Sequence, residues 1–286
     1  MPVPRISIVT VNFNQSAFLE QTILSVISQG YPNLEYIIID GGSTDGSVDI
    51  IKKYASHLHY WVSEPDNGLY EALQKGFSRS TGEIMAWINS DDLYHPYAFK
   101  MVADIFGRFP DIRWIMGSNS FFTEDGNCFN YGRDRADESW SQTRMFLRQG
   151  SFIQQESVFW RRDLWNAAGG YISQEHSLAA DFELWLRFFR HEKLYSVSFL
   201  LAGFRLRRGQ LSQRRRDEYM LQIRALLNAE KLSARQRTRI FFCRILLPLT
   251  NLAISPTWQQ RLVFRLLQIP PRIVFDPEKG LAFREK

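Results

Sequence analysis

The 286-residue chain has little of what would make it a disulfide-stapled, metal-finger or membrane-spanning protein. Its two cysteines, Cys128 and Cys243, stand far apart and in no Cys-x-x-Cys pair, so neither a zinc site nor a disulfide framework is indicated and a reducing compartment is expected. His57, His59, His95, His176 and His191 show no metal-ligand spacing. Eighteen uninterrupted apolar residues occur nowhere, and the nearest approach, Ile240 to Ile254, is interrupted by Arg244 and Pro248, which argues against a spanning helix. The opening MPVPRISIVTVNFN lacks the apolar core and small-residue cleavage site of a signal peptide, so a cytoplasmic location is expected. No internal repeat or low-complexity linker appears. No Gly-rich basic loop follows the first strand, which weighs against a nucleotidyltransferase.

Apolar residues are plentiful. At 45% hydrophobic the chain can bury a core as one large domain or two small ones. Charge is placed unevenly: Phe204 to Arg244 holds twelve Lys/Arg against three Asp/Glu, an excess of nine in a chain of net +5. A basic block followed by apolar, aromatic-rich sequence favours an anionic membrane surface over nucleic acid as partner. The competing reading of this block is a basic helix packed on its own domain or on another subunit.

The first hundred residues alternate strand and helix. RISIVTVNF, LEYIIID, HYWVSE and EIMAWIN read as strands, separated by helices from about Ala17 to Gln29, over SVDIIKKYA and over LYEALQKGFSRS. In the first helix Leu19, Ile23, Val26 and Ile27 form the inward stripe, with Phe18, Thr22, Ser25 and Gln29 facing away. Apolar strands in this order imply an α/β fold with a mostly parallel sheet covered by helices on both faces. Residues 111–216 are less regular, with short strands such as SVFW and LYSVSF and one strong helix, DFELWLRFFRH; residues 217–286 read as helical, broken by Pro248 and Pro256.

In open α/β sheets ligands bind beyond the carboxyl ends of the strands. Those ends carry Asn12 and Asn14, then Asp40 with Gly41, Gly42 and Ser43, then Glu64 and Asp66, then Asp91 and Asp92. Two adjacent carboxylates after an apolar strand call for a cation, and a hard divalent ion with a bound diphosphate suits oxygen ligands; a plain turn is the other explanation. Asp40 is placed to accept hydrogen bonds from a base or ribose, or else merely to open the DGGSTDGS turn.

The stretches SIVTVNFNQSAFLEQTILSVISQGYPNLEYIIIDGGSTDGS, SEPDNGLYEALQKGF, TGEIMAWINSDD, FWRRDLWNAAGGY and DFELWLR, in order from about Ile6 to Arg190, resemble the inverting family 2 glycosyltransferases of GT-A fold. The resemblance implies a nucleotide-sugar donor, with a UDP-sugar favoured, a divalent metal (Mn²⁺ or Mg²⁺) and a single carboxylate base. It assigns 1–110 to the nucleotide-sugar-binding half and 111–216 to the acceptor-binding half, while 217–286, beyond the stretches that carry it, reads from its own pattern as a helical basic and apolar extension. By position, Asn12, Phe13 and Asn14 would line the base pocket, Asp40 with Gly42 and Ser43 would hold base or ribose, and Asp91 and Asp92 would serve ribose and metal, with Asp92 the first choice as metal ligand. Lys75 reads as either a helix-surface lysine or a diphosphate contact.

Asp181 is the expected base. It shares a helix face with Leu184, Trp185 and Phe188, so its carboxyl sits at the edge of an apolar stripe, where partial burial raises proton affinity. An N-cap is the alternative role for an aspartate there. Three positions depart from many relatives: Asn89 stands for an aspartate, Ala180 for a glutamate beside the base, and Arg207 for a histidine that it could replace as a phosphate cation but not as a metal ligand. Trp160 and Trp165 are expected in the core. The leading expectation is transfer of a sugar to a saccharide or lipid-linked acceptor in surface polysaccharide synthesis, at the cytosolic face of a membrane; the alternative is a non-catalytic nucleotide-sugar-binding or scaffold protein.

Overall fold

The computed structural model describes residues 3–131, 140–148, 153–249 and 256–284. Four apolar runs form parallel strands β1 (Ile6–Asn12), β2 (Leu34–Asp40), β3 (Tyr60–Ser63) and β4 (Ile84–Asn89), joined by α1 (Ser16–Ile27), α2 (Ser47–Lys53) and α3 (Leu69–Arg79). Then follow β5 (Leu93–Tyr94), α4 (Ala98–Arg108), β6 (Trp114–Met116), β7 (Ser120–Phe122), β8 (Cys128–Tyr131), α5 (Gln142–Arg148) and β9 (Val158–Arg161). The chain continues through α6 (Arg162–Ala167), α7 (Ala180–His191), β10 (Tyr195–Ser196), β11 (Ala202–Arg205) and α8 (Leu211–Arg214). It closes with α9 (Arg216–Ala229), α10 (Ala234–Leu249), α11 (Pro256–Leu267), β12 (Ile273–Asp276) and β13 (Gly280–Phe283).

The main sheet has seven strands in the order β10-β6-β9-β4-β1-β2-β3, and only β9 runs against its neighbours. This is the α/β architecture with a mostly parallel, helix-flanked sheet that the apolar strands require. β1, β2 and β4 are buried nearly throughout, because helices cover both faces. Helix α3 lies so close to β1 that a Cβ on Gly76 would meet Val9 at 2.4 Å. A second sheet has the order β5-β11-β7-β8.

Tryptophans join the two halves. Trp185 of α7 stacks on Trp87 of β4 at 5.5 Å and on Trp114 of β6 at 5.7 Å. Trp160 and Trp165 are buried in the same cluster, as expected. Offset and edge-on ring pairs add about 0.5–1.5 kcal/mol each beyond their area. The cluster thereby pins α7, and with it Asp181, to the sheet.

Two expectations are corrected. Thr22 faces inward, not away: its hydroxyl lies 2.9 Å from the carbonyls of both Ser90 and Asp92, so a polar side chain serves the loop after β4. As expected, the helical region is divided near its prolines: α10 ends at Leu249, one residue after Pro248, and Pro256 opens α11, where the first helical position tolerates a missing N–H. The IPPRIVFDP segment enters a hairpin, β12–β13, that bonds the sheet edge through Ser198 N–H to the Ile273 carbonyl, 2.8 Å. Among the described residues no helix is long and apolar enough to cross a membrane; residues 250–254 of the Ile240–Ile254 stretch lie outside them.

Candidate active site

A cleft of about 700 Å³ opens at the carboxyl ends of β1, β2 and β4. Of the residues singled out in the sequence it brings together Asn12, Phe13, Gly41, Asp66, Asn89, Asp91 and Asp181, along with Arg207. Asn14, Asp40, Gly42, Ser43, Lys75 and Asp92 do not line it.

One wall is a hydrogen-bonded platform. The Asp40 carboxylate is buried and accepts from Asn12 Nδ2 at 2.6 Å, Ser43 N at 2.9 Å, Ser43 Oγ at 2.6 Å and Ser63 Oγ at 2.6 Å. Burial alone would raise its pKa, but the bonds from Ser43, Ser63 and Asn12 outweigh that and hold it below the ordinary aspartate value. Ser43 Oγ in turn accepts Asn14 N–H at 2.8 Å, while Asn14 Oδ1 accepts Thr44 N–H at 2.9 Å. These bonds hold Asn14 at φ 51 and Gly42 at φ 80, so the β1 and β2 loops are locked together. Asp40, Asn14, Gly42 and Ser43 therefore support the wall from behind. Asn12 Oδ1, buried on the cleft side of this network, has no partner within the protein, and Phe13 is 60% exposed beside it. An unpartnered acceptor next to an open ring suits the N–H of a planar base. Lys75 points to Glu64 at 2.7 Å.

The end of β4 is an acidic corner held by arginines. Asp91 faces the cleft and pairs with Arg207 Nε at 2.8 Å. Asp92 turns inward and is wholly buried: its Oδ1 accepts Arg205 N–H at 2.9 Å, and Asn89 Nδ2 approaches its Oδ2 at 3.3 Å. Burial, followed by the charges of Glu156 and Asp91, pushes the Asp92 carboxyl well above the usual range. Asp92, the first choice as metal ligand from sequence, is thus bound into the framework, and Asp91 is the carboxylate of the pair that lines the cleft. Arg205, also wholly buried, donates to the Asp91 carbonyl at 2.6 Å, to Glu124 O at 2.7 Å and to Gln21 Oε1 at 2.8 Å. Phe18 lies under both guanidinium groups, 5.1 Å from Arg205 and 5.2 Å from Arg207.

The opposite wall carries Asp181. It occupies the second position of α7 and makes no cap: the N-cap is Ala179, without a side-chain bond. Its carboxyl sees the cleft but is packed by protein, with Tyr70 Oη 3.3 Å from Oδ1, and burial pushes its pKa up to about 6 despite bonds to Phe182 N–H and Tyr70. Sequence reasoning missed Glu156, which reaches the cleft from the 3-10 turn before β9. It is buried, accepts Gln154 Nε2 at 2.6 Å and is pushed up to about 7 by burial. Asp66, placed at a strand end in the sequence, does line the cleft, and a Cβ on Gly41 would press against it at 3.0 Å; the buried Arg205 was passed over. The only sequence signal for Glu156 was a polar QQES next to an apolar strand.

Among the described residues no group of three or more His, Cys, Asp or Glu side chains could enclose a metal ion. The cleft does offer Asp91 and an unpartnered amide oxygen, Asn89 Oδ1. That donor set fits a hard divalent ion that takes its remaining ligands from water and a substrate diphosphate, as Mg²⁺ sites commonly do.

The sequence model of glycosyl transferase family 2 matches residues 7–161. An uncharacterized glycosyltransferase of Mycobacterium tuberculosis is 30% identical over 188 residues, 64% of this chain and 68% of the relative. A putative teichuronic acid biosynthesis glycosyltransferase of Bacillus subtilis is 35% identical over 92 residues, 31% of this chain and 36% of its own. Among solved structures, residues 1–349 of Staphylococcus aureus TarS with UDP-GlcNAc align with a TM-score of 0.65 at 15% identity, over 93% of this chain and 82% of that one. A Pyrobaculum calidifontis mannosyltransferase with GDP-Man and Mn²⁺ aligns at 0.64 and 18%, over 93% and 74%. At these identities the structural likeness speaks for the fold.

Proposed function

Because the chain belongs to glycosyl transferase family 2, we propose that it moves a sugar from a nucleoside-diphosphate donor, a UDP-sugar in the first instance, to a hydroxyl of a saccharide or lipid-linked acceptor in surface polysaccharide synthesis. The observation that carries this reading is Asp181, a carboxyl half-buried at the cleft with its pKa near 6. In the proposed arrangement the donor base lies against Asn12 and Phe13, residues 1–110 hold the donor and residues 111–216 hold the acceptor.

The chemistry follows from charge. Cleaving the anomeric C–O bond builds positive charge on the sugar and negative charge on the leaving diphosphate. A Mn²⁺ or Mg²⁺ ion, when bound, would be held by Asp91 with Asn89 Oδ1 and would neutralise that diphosphate. Arg207, already beside Asp91, adds a fixed positive charge to the same corner. Asp181 accepts the proton of the attacking hydroxyl; near pH 7 a carboxyl of pKa about 6 is mostly ionised yet more basic than an ordinary aspartate. Attack from the face opposite the diphosphate inverts the anomeric centre in one displacement.

The test is thermal stabilisation of the chain by UDP, GDP, dTDP and CDP, each with Mn²⁺ and with EDTA, compared with Asp91→Ala. One nucleotide should raise the melting temperature with metal, and the variant should lose the metal-dependent part. No shift with any nucleotide would sink the donor site, and a product of unchanged anomeric configuration by NMR would sink the single displacement. The Asp91–Arg207 pair, which occupies the metal-facing carboxylate, favours one alternative: a chain that binds nucleotide sugar without turning it over. Donor binding with no transfer to a broad acceptor panel would identify it.

A further inference from the structure

From Lys231 to Phe275 the chain holds eight Lys/Arg and no Asp or Glu. Helices α10 and α11 lie in this stretch, so neither carries a carboxylate to offset its arginines. Among the described residues no carboxylate pairs with Arg235, Arg237, Arg239, Arg244 or Arg265, whereas Arg190, Arg207 and Arg215 elsewhere all have partners.

Helix α10 is apolar on two faces. Its inward face, with Ile240 and Cys243 buried, packs towards α5 and α11. Its outward face presents Phe241 at 60% exposure, Phe242 at 50% and Ile245 at 47%. At 100° per residue, Arg237 and Arg244 fall on one flank of this outer strip, and Arg235 and Arg239 on the other. An apolar strip between two rows of cations is the pattern of a helix lying in a membrane interface, where aromatic rings enter the acyl boundary and arginine stems reach up to phosphates.

A second feature points to the same occupant. Between α10 and α11 lies a groove of about 420 Å³ whose walls include Arg235, Arg239 and Arg265 together with Phe242, Leu246 and Leu266. Three guanidinium groups over an apolar floor match a phosphate attached to an acyl chain. A neighbouring protein of ordinary surface composition would have to supply a carboxylate at each of these points; an anionic bilayer supplies phosphates all across its surface.

We propose that the outer face of α10, with the α10–α11 groove, docks the protein on an anionic phospholipid surface. This surface is separate from the cleft. Helix α9 connects the two: Arg216, Tyr219 and Met220 line the cleft at its start, and its fourteen residues, about 20 Å at 1.5 Å each, lead to α10. Docking would therefore hold the cleft within reach of an acceptor anchored in the same membrane.

The test uses the full chain in cosedimentation with vesicles of phosphatidylcholine alone or with about one-third phosphatidylglycerol, at low salt and at roughly 0.5 M salt, where screening is severe. Binding is expected only to the anionic vesicles and only at low salt. The variant Arg235→Gln/Arg239→Gln/Arg265→Gln should bind on the order of 100-fold more weakly, at about five-fold per arginine. The variant Phe241→Ser/Phe242→Ser should bind at least about ten-fold more weakly. Nucleotide-induced thermal shifts serve as the folding control and should match the native chain in both variants. Absence of binding by the native chain, or equal binding to neutral vesicles, would overturn the proposal. So would a concentration-dependent dimer in ultracentrifugation that both variants abolish while vesicle binding persists, since a second copy would then be the occupant.

Discussion

Asp40 and Asp181 are the same side chain in two settings. Asp40 receives four hydrogen bonds and is held ionised below the usual aspartate range. Asp181 receives a long bond from Tyr70 and is pushed up to about 6. Both are desolvated, Asp181 the more strongly, and only at Asp40 do enough donors point at the carboxylate to outweigh that burial. The wall under Asp40 keeps its carboxylate ionised, and the wall around Asp181 leaves its carboxyl more basic than an ordinary aspartate. Glu156, pushed up to about 7, and the buried Asp92 extend the high-pKa side of the division.

The comparison breaks most visibly at Asp181. Asp181→Asn should lower kcat by about 10²–10⁴ while leaving nucleotide binding within error, measured by transfer assay and thermal shift. In the native chain kcat should fall as pH is lowered through about 6, as the base becomes protonated. If Asp181→Asn instead weakened nucleotide binding and spared turnover, the roles of the two walls would be exchanged.

Asp40→Asn should have the next largest effect. It turns an acceptor into a donor among Ser43, Ser63 and Asn12, and should cost about 2–4 kcal/mol of stability in denaturant melts. The sign with pH is that of a depressed carboxylate: its contribution is present above the ordinary value of 3.8 and is lost as pH falls through its lower folded value. The penalty of the variant should therefore shrink in acid.

Glu156→Gln sharpens the contrast in the opposite direction. Between 4.5 and about 7 the unfolded chain ionises Glu156 while the folded chain keeps it protonated, so the native protein loses stability as pH rises through that window. The amide keeps the bond from Gln154 and removes this loss. Melting curves should show the variant more stable by roughly 1–3 kcal/mol at pH 8, with no advantage below about pH 4.5.

Arg207→His should be the mildest change. It frees Asp91 and restores an imidazole, so half-saturation of the nucleotide-dependent shift should need roughly ten-fold less Mn²⁺. An unchanged Mn²⁺ requirement would mean the Asp91–Arg207 pair opens at no cost when donor binds.

The four parallel strands were legible because each is a nearly unbroken apolar run, and Asp181 because it sits three and four residues before Leu184 and Trp185 on one helix. Adjacent carboxylates were not separable from sequence. Which of Asp91 and Asp92 points inward is decided by Arg205, whose N–H captures Asp92 from 113 residues away. Thr22 was misassigned for the same reason: a hydroxyl that satisfies two loop carbonyls is polar in composition but belongs to the interior. Glu156 combined burial with charge, against the expectation that buried carboxyls are paired by cations. The β12–β13 hairpin hid in a short segment whose partner, the sheet edge at Val197, lies far off in the chain.

Arg205 also bears on the order of assembly. Its guanidinium joins Gln21, Asp91 and Glu124, which precede it by 184, 114 and 81 residues. During synthesis the first four strands can pair as they emerge, but the corner that presents Asp91 remains open until β11 has left the ribosome. The cleft is thus completed late, and if it binds the proposed donor, refolding from denaturant should show binding competence arriving after the parallel strands have formed, as expected for contacts of such long sequence separation.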